Sequence, residues 1–344
     1  MRVSRAGLAI LVVTLAAALA SLAPAMPVHA ETFDFRVSLD TNPTHIRTRQ
    51  IGRYLDAIRE KSQGRLNGTL FHSGQLFADR DVGNALRQNG IEMAVPGAWV
   101  LTGFDPNFDI VSLPMFYGRG ADEIHKVFDG DVGQVLDLSL ERKLKVKVIG
   151  KWLDLGSGHI YGARRPLNSL ADLKGLKIRT PGGAGLFYRV KFFQGSPSMV
   201  PWPEVPLALS QGTFDALIST NDTVVSAKLW ESGLKFALQD HENFGQYIPM
   251  ISLGFWNRLP PDLQAVMVDT WAAMIDRFRS ESAAAQGEAA RTLAAHGVMV
   301  VTPGNDELGK VRADMMLTQD ETARGLRLDP DLVVKAKTAL QATD

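Results

Sequence analysis

The chain has 344 residues, with 37 basic and 37 acidic side chains, seven histidines and no cysteine. A hydrophobic share of 45% and a charged share of 22% describe a globular protein long enough to bury more than one core. Balanced charge argues against a nucleic-acid partner, and the missing cysteines exclude disulfides, a thiol nucleophile and thiolate-held zinc or iron–sulfur clusters.

The first thirty residues carry Arg2 and Arg5, no acid, an apolar run from Ala6 to about Ala20, and then Pro24 and Pro27 before Val28-His29-Ala30. A basic start, a greasy middle and small residues at the end are the order of a secretory signal, with cleavage expected after Ala30. An uncleaved membrane anchor is the alternative. No later run approaches the ~20 apolar residues of a membrane span. The expectation is an exported, periplasmic protein.

From Thr32 the residues alternate, with Phe33, Phe35, Val37 and Leu39 on one face of a strand, which ends at the breaker cluster Asp40-Thr41-Asn42-Pro43. Ile51, Tyr54, Leu55 and Ile58 fall at helical spacing, and Gly64 is a stop. A strand near Leu66–Phe71, a helix near Asp79–Gln88 and a strand at Ile91–Val95 continue the order, and Leu144, Val146 and Val148 close the half. Strands alternating with helices imply a parallel or mixed sheet covered by helices.

The same grammar restarts in the second half. Ser169-Leu170-Ala171-Asp172 fits a capping box, Leu176–Ile178 is a strand ending at Arg179, and Leu186, Phe187, Val190 and Phe193 mark a helix. Pro203–Ser210 is another helix, and Phe214, Ala216 and Ile218 form a strand that runs into Ser219-Thr220-Asn221. After Pro260-Pro261 the helical pattern persists to Gly297, broken only by Gly287. At ~1.5 Å per residue it reaches roughly 54 Å, longer than either half. It predicts a helix spanning both. A strand at Val298–Val301 and a last helix complete the chain.

Arg179 stands out because it ends a predicted strand, where open α/β sheets bind ligands. Its planar guanidinium matches a carboxylate in two parallel hydrogen bonds. A surface arginine in a solvent-facing ion pair is the ordinary alternative. Arg164 and Arg165 are weaker candidates of the same kind. Trp202 and Trp99 sit at loop positions where an aromatic can wall a pocket, with core packing the competing role. Ser219 and Asn221 end a strand and can bond a ligand oxygen or cap the next helix. Catalytic signals are poor: the histidines at 45, 72, 125, 159, 241 and 296 show no HxH or HExxH spacing, and neither GxSxG nor GxxxxGK[ST] occurs. The residues on offer suit recognition, and neither a metal nor a cofactor is assigned.

The run Pro166-Leu167-Asn168-Ser169-Leu170-Ala171-Asp172-Leu173-Lys174-Gly175-Leu176-Lys177-Ile178-Arg179-Thr180-Pro181 resembles the signature of DctP-type solute-binding proteins of TRAP (tripartite ATP-independent periplasmic) transporters. Glu60-Lys61-Ser62-Gln63-Gly64-Arg65, Ser73-Gly74-Gln75-Leu76, Glu204-Val205, Leu207-Ala208-Leu209 and Phe214-Asp215 extend the match from about Thr32 to the last helix. The resemblance implies an α/β, two-domain flytrap fold braced by a long helix spanning both domains. It places 31–155 plus 246–285 in the first domain and 156–245 plus 286–344 in the second. It implies that Arg179 pairs with a ligand carboxylate, that Arg165 matches a second arginine of some members, that Trp202 packs on the ligand and that Ser219 bonds it. Asp40 and Gly97–Trp99 would face them from the first domain.

Members that bind sialic acid commonly carry asparagine where Ser219 stands and an acid where Gly97 stands, so that ligand is not expected. Trp99 and Trp202 suit a short carboxylate, a C4-dicarboxylate or an aryl acid. The implied partners are a small carboxylate and the small and large TRAP membrane subunits, with a homodimer through the long helix left open. An ABC-type or sensory binding protein for a carboxylate, and an enzyme on the same fold, are the rival readings.

Overall fold

The computed structural model describes residues 31–341; the expected secretory signal and the expected cleavage after Ala30 fall on 1–30, outside the described residues. Two sheets organise the chain from Phe33 onward. In the first, Leu66–Phe71, Phe33–Ser38, Met93–Ala94, Met250–Ser252 and Val146–Val148 lie side by side in that order. The first three run parallel, and Met250–Ser252 is antiparallel to both its neighbours. In the second the order is Met299–Val301, Phe236–Leu238, His159–Gly162, Ala216–Ser219, Lys177–Thr180 and Ser196–Met199, with His159–Gly162 antiparallel to its neighbours and the rest parallel. The α/β expectation holds, and the sheets are mixed because the chain crosses between them. It leaves the first lobe along Leu153–Ser157 and returns along Phe244–Tyr247, an antiparallel pair.

In the strand Phe33–Ser38 the alternation is borne out, with Phe33, Phe35 and Val37 buried while Asp34 and Arg36 stay exposed. Phe33, Phe35 and Val37 pack with Tyr54, Leu55 and Ile58 of the helix Ile46–Lys61. That helix begins five residues before Ile51, because the His45 ring nitrogen Nδ1 accepts from the Arg47 amide at its N-terminus. The long helix is observed as Pro261–Ala295. Leu263, Met267, Trp271, Ile275 and Phe278 enter the first-lobe core, whereas Leu293 enters the second with Val205, Phe214 and Leu217. One helix thus completes two cores.

The final segment departs from the expected boundary at 286–344. Gln319–Gly325 and Pro330–Gln341 turn back to the first lobe, where Leu326, Leu332, Val333, Ala336 and Leu340 pack with Ile124, Phe128 and Val132. An amphipathic stripe specifies that a helix buries one face but not which core receives it. Helices Ala121–Phe128 and Asp131–Leu140, which receive that face, lie in a stretch for which the sequence pattern predicted no elements. Several 3-10 turns lie in the same stretch.

Candidate functional site

A cavity of about 190 Å³ opens at the carboxyl ends of the parallel strands of both sheets. The first lobe contributes Asp40 and Thr41, Asp79 and Arg80, and Trp99 and Val100; the second contributes Arg179 to Gly183 without Thr180, Pro201 and Trp202, and Ile218 to Thr220. Asn243, Gly245 and Tyr247 of the returning strand region form part of its wall. Ligand sites arise at such strand ends because loops there converge while the sheet holds them rigidly.

Arg179 lies in Lys177–Thr180, flanked in parallel register by Ser198 and Leu217. It is 2% exposed. Its Nε donates to the Val200 carbonyl at 2.9 Å and Nη1 to the Ile218 carbonyl at 3.3 Å, and the guanidinium stands 5.7 Å from the centre of the Trp202 ring. Both acceptors are neutral. Among the described residues no carboxylate comes within ion-pairing distance, although the more distant charge of Asp40 helps the cation. Burial drags its pKa down to about 9. Since arginine keeps its proton in proteins, the depression reflects a cation whose burial no neighbouring carboxylate offsets in full.

Opposite stands a charged cluster that sequence reasoning missed apart from Asp40. Arg47, 1% exposed, bonds Asp40, reaches Asp79 at 2.8 Å and the Val95 carbonyl at 3.0 Å, and sits 4.1 Å above the Tyr247 ring. Burial pushes the Asp79 carboxyl up to about 7 against the pull of Arg47. Arg47 lies between the Asn42-Pro43 breaker and the stripe that begins at Ile51, and Asp79 only opens a predicted helix, so neither carried a sequence signal. Thr220 and Thr223 also line the cavity, their hydroxyls 2.8 Å apart, and Thr223 meets the His45 ring at 2.9 Å.

Of the expected site residues, the fold brings Arg179, Trp202, Ser219, Trp99 and Asp40 to this cavity. Arg165 is elsewhere: it is exposed, and its guanidinium donates to the carbonyls of Asp172 and Lys174, tying down the turn after the capping box. Asn221 is elsewhere too. Its side chain is taken by the Tyr161 hydroxyl at 2.6 Å and Gln239 at 3.3 Å, and it lines a separate cavity of about 690 Å³ beside the crossing strands. The chain turns between 219 and 221, so residues at a strand end separate onto two sides.

Two lobes joined by crossing strands and a shared helix, with a buried cation facing a cavity between them, define a solute-binding protein of the flytrap type. The family model for bacterial extracellular solute-binding protein, family 7 (DctP) matches residues 38–324, and the chain belongs to that family, whose members are receptors and not enzymes. The chain is 29% identical over 235 residues to the 2,3-diketo-L-gulonate-binding periplasmic protein YiaO of Escherichia coli, covering 68% of this chain and 70% of that one. It is 25% identical over 260 residues to the C4-dicarboxylate-binding periplasmic protein DctP of Rhodobacter capsulatus, covering 74% and 76%. Among solved structures, the sugar acid binding protein DctPAm of Advenella mimigardefordensis, crystallised with galactonate, superposes with a TM-score of 0.85 at 18% identity, over 91% of this chain and 99% of that one. At that identity the likeness establishes the fold.

Proposed function

We propose that this protein is the periplasmic receptor of a TRAP transporter, capturing a small organic acid through an Arg179–carboxylate pair and handing it to the membrane subunits. The observation that carries the reading is Arg179 itself: a buried guanidinium, braced by two carbonyls, with no acidic partner among the described residues. Nε and one Nη1 hydrogen are used to aim the group, so the Nη1–Nη2 edge remains for two parallel bonds to a carboxylate. Trp202 and Trp99 shield that pair from water, which strengthens it. Relatives named for diketogulonate and for C4-dicarboxylates support an acid as the ligand class. Export with cleavage after Ala30 belongs to the same proposal.

Leaving a buried carboxylate without its partner costs ~3–5 kcal/mol, so Arg179→Ala is expected to weaken binding of the cognate acid by roughly a hundred- to a few-thousand-fold. Titration calorimetry on the acid that co-purifies with the protein, identified by native mass spectrometry, is the check. A loss of tenfold or less would overturn the role given to Arg179.

A further inference from the structure

The wall facing Arg179 is acidic, and this bears on the far end of the ligand. Asp40 and Asp79 share one guanidinium, that of Arg47, so with both carboxyls ionised the trio keeps one formal negative charge. Arg47 does not turn toward the cavity: its remaining contacts are the Thr41 hydroxyl, the Val95 carbonyl and the Tyr247 ring. Asp79 Oδ2 takes Arg47 and the Gly97 amide at 3.4 Å. Its Oδ1 is buried and has no hydrogen-bond partner among the described residues, and the residue, 6% exposed, lines the cavity. Arg80 also lines the cavity, but it is half exposed beside Asp81, where solvent screens it.

We infer that the acid bound here is a monocarboxylate that presents a hydrogen-bond donor, a hydroxyl or an ammonium, to Asp79 and Asp40, and that the site rejects a second carboxylate at that end. The inference rests on the Arg179 reading. A donor satisfies the orphaned Oδ1, whose desolvation is otherwise uncompensated. A second carboxylate would meet acceptors of its own charge in a buried site, the arrangement by which binding sites exclude wrong ligands. A donor aimed at the ionised Asp79 would also draw its raised pKa back down.

The test uses matched acids that differ at one end only: 4-hydroxybutanoate and 4-aminobutanoate against succinate, 5-hydroxypentanoate against glutarate, and gluconate against glucarate. Calorimetry at pH 8 with the purified protein is expected to show, in whichever set binds, the donor-bearing monoacid ahead of its dicarboxylate by at least about tenfold. The hydroxyl and amino arms identify the donor. Asp79→Asn, checked for folding by circular dichroism, is expected to shrink the preference to about threefold or less; if it does not fold, the wild-type comparison still decides. A dicarboxylate that binds as well as or better than its monoacid, while Arg179→Ala abolishes both, would overturn this inference alone. Binding indifferent to Arg179, or no binding in any set, would overturn the organic-acid reading and this one with it.

Discussion

Gly97 and Trp99 act as a pair. A β-carbon built on Gly97 would lie 2.2 Å from the Trp99 ring, and one on Gly245 would lie 3.2 Å from it, so the indole occupies space that side chains at those positions would fill. Its ring also rests 5.6 Å from that of Tyr247. Trp99 therefore sets the depth of the cavity. Trp99→Ala is expected to weaken small acids by about tenfold through lost contact and to admit acids too bulky for the wild type; a thermal-shift panel graded by ligand size reads both. An unchanged size limit would show that the indole does not define the floor. Arg179 could be picked from the sequence because a strand end is a local property. The direction of Arg165 and Asn221 was hidden, since a loop's turn decides which side a neighbouring residue faces.

At the scale of elements, the long helix works through Gln286. Its Nε2 donates to the Leu155 carbonyl at 2.7 Å, on the crossing strand, and its Oε1 accepts from the Asp222 amide at 3.0 Å, in the second lobe. Removing that side chain leaves two backbone groups with no partner in a half-buried place. Gln286→Ala is expected to destabilise the protein by ~1–3 kcal/mol and to weaken ligand binding as the lobes lose a shared brace. Urea unfolding and calorimetry on the same variant separate the two effects, and an unaltered midpoint would mean that water replaces the amide without loss. The helix was legible from the helical pattern that runs from Pro260-Pro261 to Gly297, broken only by Gly287. The two helices at Ala121–Phe128 and Asp131–Leu140 were not, because each is short and its neighbours are irregular turns.

On the scale of the whole molecule, Asp109 ties the lobes together. Its carboxylate, on the first-lobe turn Pro106–Ser112, accepts from the Gly185 amide at 2.9 Å at the start of the second-lobe helix Ala184–Phe192. Gly183, at φ +82°, makes the approach feasible, since a β-carbon there would stand 3.1 Å from the same carboxylate and adopt a conformation that L-residues avoid. Burial outweighs the backbone bonds and lifts Asp109 to about 6. A folded pKa raised above the unfolded value stabilises below that unfolded value, near 4, and the contribution is lost as pH rises through about 6. Asp109→Asn keeps an oxygen acceptor without the ionisation cost. Its stability relative to wild type is therefore expected to grow between pH 4 and 7 by ~2–3 kcal/mol and then level off. Urea titrations at unit pH steps check this. A difference independent of pH would mean that Asp109 does not titrate in that range.

Local chemistry by itself determined the alternating strands, the helices with clear stops, the capping turn at Ser169, the spanning helix and Arg179 at its strand end, because each depends on residues within a few positions of one another. The tertiary structure decided that Arg47 lies beneath Asp40 and Asp79, that the last helix closes the first lobe, and that Asn221 faces away from the cavity. Arg47 reaches an acid 32 residues away, and Pro330–Gln341 packs against helices roughly two hundred residues earlier. Such partners are chosen by which cores and charges remain uncovered once the sheets have formed. No periodicity in the chain carries that information.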